Sequence, residues 1–103
     1  MNLGLEEKVA VITGGSDGIG KAAALSMSRE GVRVAIAARD QSKLDAAVAD
    51  ISDQTQNRVL GISTDVRDED SVRSLISQVV DEWGGIDILV NNAGTSSTSR
   101  LED

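Results

Sequence analysis

Four short apolar runs alternate with three stretches of helical periodicity, and this alternation restricts the fold more than any other feature of the chain. The runs are Val9–Ile12, Val32–Ala38, Val59–Ser63 and Ile86–Val90. They read as nearly continuous apolar strands, the pattern of a sheet covered on both faces. Between the first two runs, Ile19, Ala22, Ala23, Ser26 and Met27 share one helical face, and Gly31 follows as a stop. Leu44, Ala47, Val48 and Ile51 mark a second helix, with Asp40 placed to cap it. Val72, Leu75, Ile76, Val79, Val80 and Trp83 form the cleanest stripe. Asp68, Glu69 and Asp70 stand at its N-terminus, where negative charge suits the helix dipole, and Gly84 and Gly85 end it. The order is βαβαβαβ, which implies an α/β fold with a parallel sheet and right-handed crossovers. A doubly wound sheet of four strands needs more than three helices, and no element follows the fourth strand. Residues 1–103 therefore read as the N-terminal part of a single larger domain, an incomplete sheet. If the chain stops at Asp103, the fourth strand is an edge and apolar surface lies bare around it.

Composition narrows the chemistry. Net charge is −7, so most of the surface repels nucleic acid and anionic membrane, and neither is expected as a partner. No run of apolar residues is long enough to span a bilayer, and the N-terminus lacks the order of a signal peptide. A cytoplasmic location is the expectation. There is no cysteine, histidine or tyrosine. Disulfides and cysteine-based metal sites are excluded, no metal site is expected, and proton transfer is left to Asp, Glu, Lys, Ser and Thr.

One loop stands out against this background. "TGGSDGIG", Thr13 to Gly20, lies directly after the first strand and opens the first helix. There, unpaired N–H groups and the positive end of the helix dipole favour a phosphate. Gly14 allows the tight turn, Gly18 lets a pyrophosphate approach the backbone, and Gly20 lets helix and strand pack closely. Ala22 and Ala23 are expected on the inner face of the helix, supporting that packing. A P-loop is ruled out because no Gly-Lys-Ser/Thr follows.

Two more motifs follow later strands: Asp65-Val66 after the third, and "NNAG", Asn91 to Gly94, after the fourth. With Thr13-Gly14-x-x-x-Gly18-Ile19-Gly20 they make the chain resemble the short-chain dehydrogenase/reductase family, from about Lys8 to Gly94. Relatives of the epimerase or dehydratase type show TGxxGxxG, a spacing that Gly14, Gly18 and Gly20 do not give. The resemblance implies a Rossmann-type sheet of strand order 3-2-1-4. It implies that the loop, including Ser16, Asp17 and Ile19, meets a nicotinamide dinucleotide. Asp65 and Val66 would flank its adenine, and Asn92, Ala93 and Gly94 would line a ribose. At the end of the second strand, an acidic residue would bind a ribose 2′-OH and an arginine would accommodate a 2′-phosphate. Here Ala38 takes the acidic position and Arg39 follows, so NADP(H) is favoured over NAD(H). Asp40 could pair with Arg39.

The activity implied is hydride transfer between the cofactor and a small-molecule carbonyl or alcohol, with 3-oxoacyl thioester reduction as the first expectation because such reductases are common in the family. The full-length enzyme would be a homo-oligomer. In the family the proton comes from a Tyr-x-x-x-Lys motif aided by Ser and Asn, all beyond NNAG. No residue of this chain is assigned a catalytic role. The alternative is a non-catalytic nucleotide-binding module or remnant.

Overall fold

The structure, a computed structural model, describes residues 7–16 and 18–92. Strands β1 (Val9–Thr13), β2 (Arg33–Ala38), β3 (Val59–Ser63) and β4 (Ile88–Asn91) alternate with helices α1 (Gly18–Arg29), α2 (Gln41–Thr55) and α3 (Glu69–Trp83). The strands form one parallel sheet in the order β3-β2-β1-β4. The expected Rossmann-type topology is therefore present.

Strand alternation divides the core in two. Ala10, Ile12, Val34 and Ile36 pack with Ala24 of α1 and with Leu44, Ala47 and Ile51 of α2. Val9, Val11, Ala35 and Ala37 point the other way and pack with Leu75 and Val79 of α3. Both faces of β1 and β2 are thus sealed, which is why those strands read as unbroken apolar runs.

Several local signals act as the sequence indicates. The Asp40 carboxylate accepts from the Lys43 N–H at 3.1 Å and caps α2. Asp68, expected only as a charge favouring the helix dipole, also caps α3 by accepting from the Asp70 and Ser71 N–H groups. Gly31, at φ 90°, ends α1 in a Schellman arrangement: its N–H donates to Ser28 O and the Val32 N–H to Met27 O. That cap also explains a boundary. Val32, expected in β2, has its N–H committed to the helix end, so the strand starts at Arg33. β4 likewise begins at Ile88 rather than Ile86. Asp87 is occupied in fastening the start of β1, its carboxylate accepting from the Val9 N–H at 2.9 Å.

Two helical faces differ from expectation. α1 buries Gly20, Ala24 and Ser28, while Ile19 and Ala22 are exposed and Ala23 is half-buried. Of the expected face Ala23 and Met27 do pack against the core, but the residues pressed closest are small: a Cβ on Gly20 would collide with the Gly14 backbone, so the helix centres on Gly20, Ala24 and Ser28. Ser28 is fully buried and donates to Thr55 Oγ1 at 3.0 Å, joining the ends of α1 and α2. In α3 only Leu75 and Val79 of the six-residue stripe are buried, and Ile76 and Val80 face outward.

Candidate functional site

All the singled-out motifs within the described residues fall at the C-terminal end of the parallel strands, where open α/β sheets take their ligands. The loop between β1 and α1 is shaped by two residues in the left-handed region, Gly14 at φ 71° and Gly18 at φ 59°. The Gly14 N–H donates to Ala37 O at 2.7 Å and ties the turn to β2. A Cβ on Gly18 would meet no atom within 4 Å, so the backbone there borders open space at the start of α1. Ile19 is 79% exposed beside it. Ser16 is half-buried on the same turn. This is a cradle: bare backbone, a helix N-terminus and room for a ligand group.

Gly20 serves differently from Gly18. A Cβ there would lie 2.1 Å from Gly14 O and 2.9 Å from Asn92 Nδ2. The first turn of α1 is pressed against both the loop and the end of β4. Gly15, which has no place in the TGxxxGxG spacing, is also closely packed, with Ile36 Cγ2 2.6 Å from where its Cβ would be.

The loop and the start of the NNAG segment are fastened together through Thr13, the residue that opens the glycine motif. Its hydroxyl donates to Asn91 Oδ1 at 3.0 Å and accepts from the Asn92 N–H, also at 3.0 Å. Asn92 Nδ2 reaches Gly14 O at 3.4 Å. The register that sets Thr13 beside Asn91 makes this possible. The signal was in the sequence as a polar residue ending each of two apolar strands. Asp17, Ala93 and Gly94 lie outside the described residues.

Arg39 follows β2 on the same rim and is exposed. Asp40 could pair with Arg39 by its position, but among the described residues Arg39 has no ion pair, and Asp40 is engaged with the α2 N-terminus. Asp65 stands after β3. Its carboxylate accepts from the Arg67 N–H at 3.0 Å and from Arg67 Nε at 3.1 Å, and its own N–H donates to Ser71 Oγ at 2.9 Å. The hydrogen bond from Arg67, with the charges of Arg67 and Arg39 behind it, holds the carboxyl below its ordinary pKa. Asp65 therefore closes the turn into α3 while keeping an ionised group at the rim. Val66, next to it, is exposed and apolar.

The structure brings Gly14, Ser16, Gly18, Ile19, Gly20 and Asn92 into one cluster, with Arg39, Asp65 and Val66 on the ends of the neighbouring strands. No helix among the described residues is long and apolar enough to cross a membrane.

Comparison with known proteins fits this arrangement. Residues 8–103 match the short chain dehydrogenase family. The chain is 38% identical over 99 residues to the (2S)-[(R)-hydroxy(phenyl)methyl]succinyl-CoA dehydrogenase subunit BbsD of Thauera aromatica, covering 96% of this chain and 40% of that protein. It is 36% identical to an uncharacterized oxidoreductase of Staphylococcus haemolyticus, covering 96% of this chain and 42% of the relative. Among solved structures, L-sorbose reductase from Gluconobacter frateurii, complexed with NADPH and L-sorbose, superposes with a TM-score of 0.87 at 40% identity, over 98% of this chain and 38% of that one. The chain thus spans about two fifths of the length of these proteins. With its sheet order, its glycine loop and this match over nearly its whole length, the chain belongs to the short-chain dehydrogenase family.

Proposed function

We propose that these residues form the NADP(H)-binding part of an oxidoreductase acting on a carbonyl or alcohol. The observation that carries the proposal is the cradle at Gly14–Gly18, with its open backbone at the N-terminus of α1 and its tie to Asn92 through Thr13. When bound, the nicotinamide group supplies the hydride chemistry. This chain's residues bind and orient. The loop and the α1 N-terminus hold the pyrophosphate, and Asp65 and Val66 bound the adenine. Asn92, with Ala93 and Gly94 after it, lines a ribose.

Arg39 supports NADP(H) over NAD(H). Its guanidinium stands on the rim without an ion pair among the described residues, and no acidic side chain occupies Ala38, where a 2′-OH would be read. The NADPH complex of the similar sorbose reductase points the same way. The similar proteins named above differ in their substrates, and no residue here favours a 3-oxoacyl thioester, so the proposal stops at the carbonyl or alcohol class. The proton donor of the family mechanism is a tyrosine, and these 103 residues hold none. Binding without turnover is therefore expected of this chain by itself, whether it serves within a longer enzyme or as a nucleotide-binding module.

The test is titration of the 103-residue chain with NADPH and with NADH, followed by nicotinamide fluorescence. NADPH should bind more tightly. Charge-assisted hydrogen bonds are worth about 1.5–3 kcal/mol, so Arg39→Ala should weaken NADPH roughly ten- to a hundredfold and leave NADH nearly unchanged. Equal loss for both cofactors would remove the 2′-phosphate role. Failure of the folded chain to bind either one would remove the cofactor site.

A further inference from the structure

Asp65 stands between two arginines and is bound to only one of them. Ala38 and Ser63 are register partners in β2 and β3, and the strands stay joined beyond them. The Thr64 N–H donates to Ala38 O at 2.8 Å, and Ser63 Oγ donates to Arg39 O at 3.4 Å. Arg39 and Asp65 therefore emerge from neighbouring strand ends, and the Arg39 charge acts on the Asp65 carboxyl. Yet the carboxylate is paired with Arg67, and Arg39 has no ion pair among the described residues. Asp40, the other carboxylate beside Arg39, is committed to the α2 N-terminus.

The Asp65 backbone has little freedom. Its N–H donates to Ser71 Oγ at 2.9 Å, and its carbonyl accepts from the Asp68 N–H at 2.9 Å. What can still turn is the side chain. Oδ1 accepts from the Arg67 N–H at 3.0 Å and from Arg67 Nε at 3.1 Å, whereas Oδ2 accepts only from Arg67 Nη2, at 3.4 Å. The contact from the backbone N–H needs no particular side chain at this position, but the two guanidinium contacts do. Without them Oδ2 has no partner among the described residues, and Arg39 is the cation on the next strand end. A carboxylate drawn to Arg39 would occupy the guanidinium that a 2′-phosphate needs and would meet that phosphate with like charge.

We propose that Arg67 is a positioning residue for cofactor choice: by holding the Asp65 carboxylate it keeps Arg39 open to a 2′-phosphate. Arg67 acts through Asp65 and need not touch the cofactor. The proposal rests on the NADP(H) reading above, in which Arg39 takes the 2′-phosphate.

Titration of the 103-residue chain and its variants with NADPH and with NADH tests it, with circular dichroism to check that each variant is folded. The ratio of the two affinities is the readout, because a change at Asp65 alters the adenine contact of both cofactors alike. Arg67→Ala should lower the preference for NADPH about two- to fivefold, the hold of an exposed ion pair on its cation. Arg67→Lys, which keeps a charge and a donor, should lose less. In an Asp65→Asn background, Arg67→Ala should leave the preference unchanged, because no carboxylate remains to turn toward Arg39. An equal drop in both backgrounds overturns the proposal and makes Arg67 a direct cation for the phosphate. An unchanged preference in Arg67→Ala alone overturns it as well. The pairing is also read without cofactor, by following the Asp65 carboxyl through its titration with carbon NMR. Arg39→Ala should raise the pKa of that carboxyl further in the Arg67→Ala variant than in the otherwise unsubstituted chain, and equal rises overturn the proposal. A chain that binds neither cofactor removes the cofactor reading, and the NMR titration still decides whether Arg67 keeps Asp65 from Arg39.

Discussion

Replacing Gly20 with alanine sets two opposed effects against each other. Alanine is the better helix former, by about 1 kcal/mol in a helix interior and by less in the first turn, where Gly20 lies. Against this, the new methyl would sit 2.1 Å from Gly14 O and 2.8 Å from Gly14 C. Carbon contacts are comfortable only beyond about 3.5 Å, so the overlap exceeds an ångström. Neither partner yields easily. Gly14 is held through its N–H to Ala37 O and through its carbonyl to Asn92 Nδ2. Relief requires lifting α1 from the loop, a misfit of the overpacking kind that costs about 1–3 kcal/mol. The steric term wins, leaving a net loss of roughly 1–2 kcal/mol and a Tm lower by about 5–15 °C for a domain this size. Gly18→Ala is the control. Its methyl meets nothing within 4 Å, and only the left-handed φ of 59° penalises it, by about 1 kcal/mol. It should therefore melt above Gly20→Ala, yet it places a methyl where the pyrophosphate is proposed to lie and should weaken NADPH binding out of proportion to its effect on folding. Thermal and urea unfolding by circular dichroism decide the matter. If Gly20→Ala is as stable as the unsubstituted chain, or more stable than Gly18→Ala, the close approach of α1 to the loop is wrong.

Two further predictions concern the fastening of the site and its charges. Thr13→Val keeps the shape of a side chain only 6% exposed but takes the acceptor from the Asn92 N–H and the donor from Asn91 Oδ1; it should cost about 1–3 kcal/mol, seen as a lower urea midpoint at unchanged m. Asp65 and Asp50 are both held below their ordinary pKa, Asp65 by the hydrogen bond from Arg67 and Asp50 by that from Lys21. A carboxylate with a depressed folded-state pKa stabilises fully above its unfolded value and loses that contribution as pH falls through the folded one. Stability should therefore decline below the ordinary carboxylate range, and Asp65→Asn with Asp50→Asn should flatten that limb. An unchanged acid limb in the double variant would show that neither pair contributes.

Much of the fold was legible because its signals are local. A strand on this sheet announces itself by an apolar run, and Asp40 announces a helix start because a cap bonds an N–H group three residues on. Gly31 and Gly84 mark helix ends because each adopts a left-handed φ there. The loop from Thr13 to Gly20 was legible for the same reason, since its glycine spacing reflects backbone needs within eight residues. The buried side of α1 was legible only in part. Of the face expected from Ile19, Ala22, Ala23, Ser26 and Met27, only Ala23 and Met27 pack against the core, while Gly20, Ala24 and Ser28 are the buried residues, because the close approach of α1 to the loop favours small side chains that apolar periodicity does not score.

The amino-acid sequence by itself determined the order of elements, their capping and the glycine cradle, all of which depend on neighbours a few residues away. Tertiary structure alone decided that Thr13 would bind Asn91 and Asn92, 78 and 79 positions later, because only the parallel register of β1 and β4 brings them together. It also decided that Ile76 and Val80, two residues of the six in the α3 stripe, would face outward. Those outcomes depend on which surfaces the sheet can reach, and among the described residues the sheet buries only the Leu75 and Val79 side of α3.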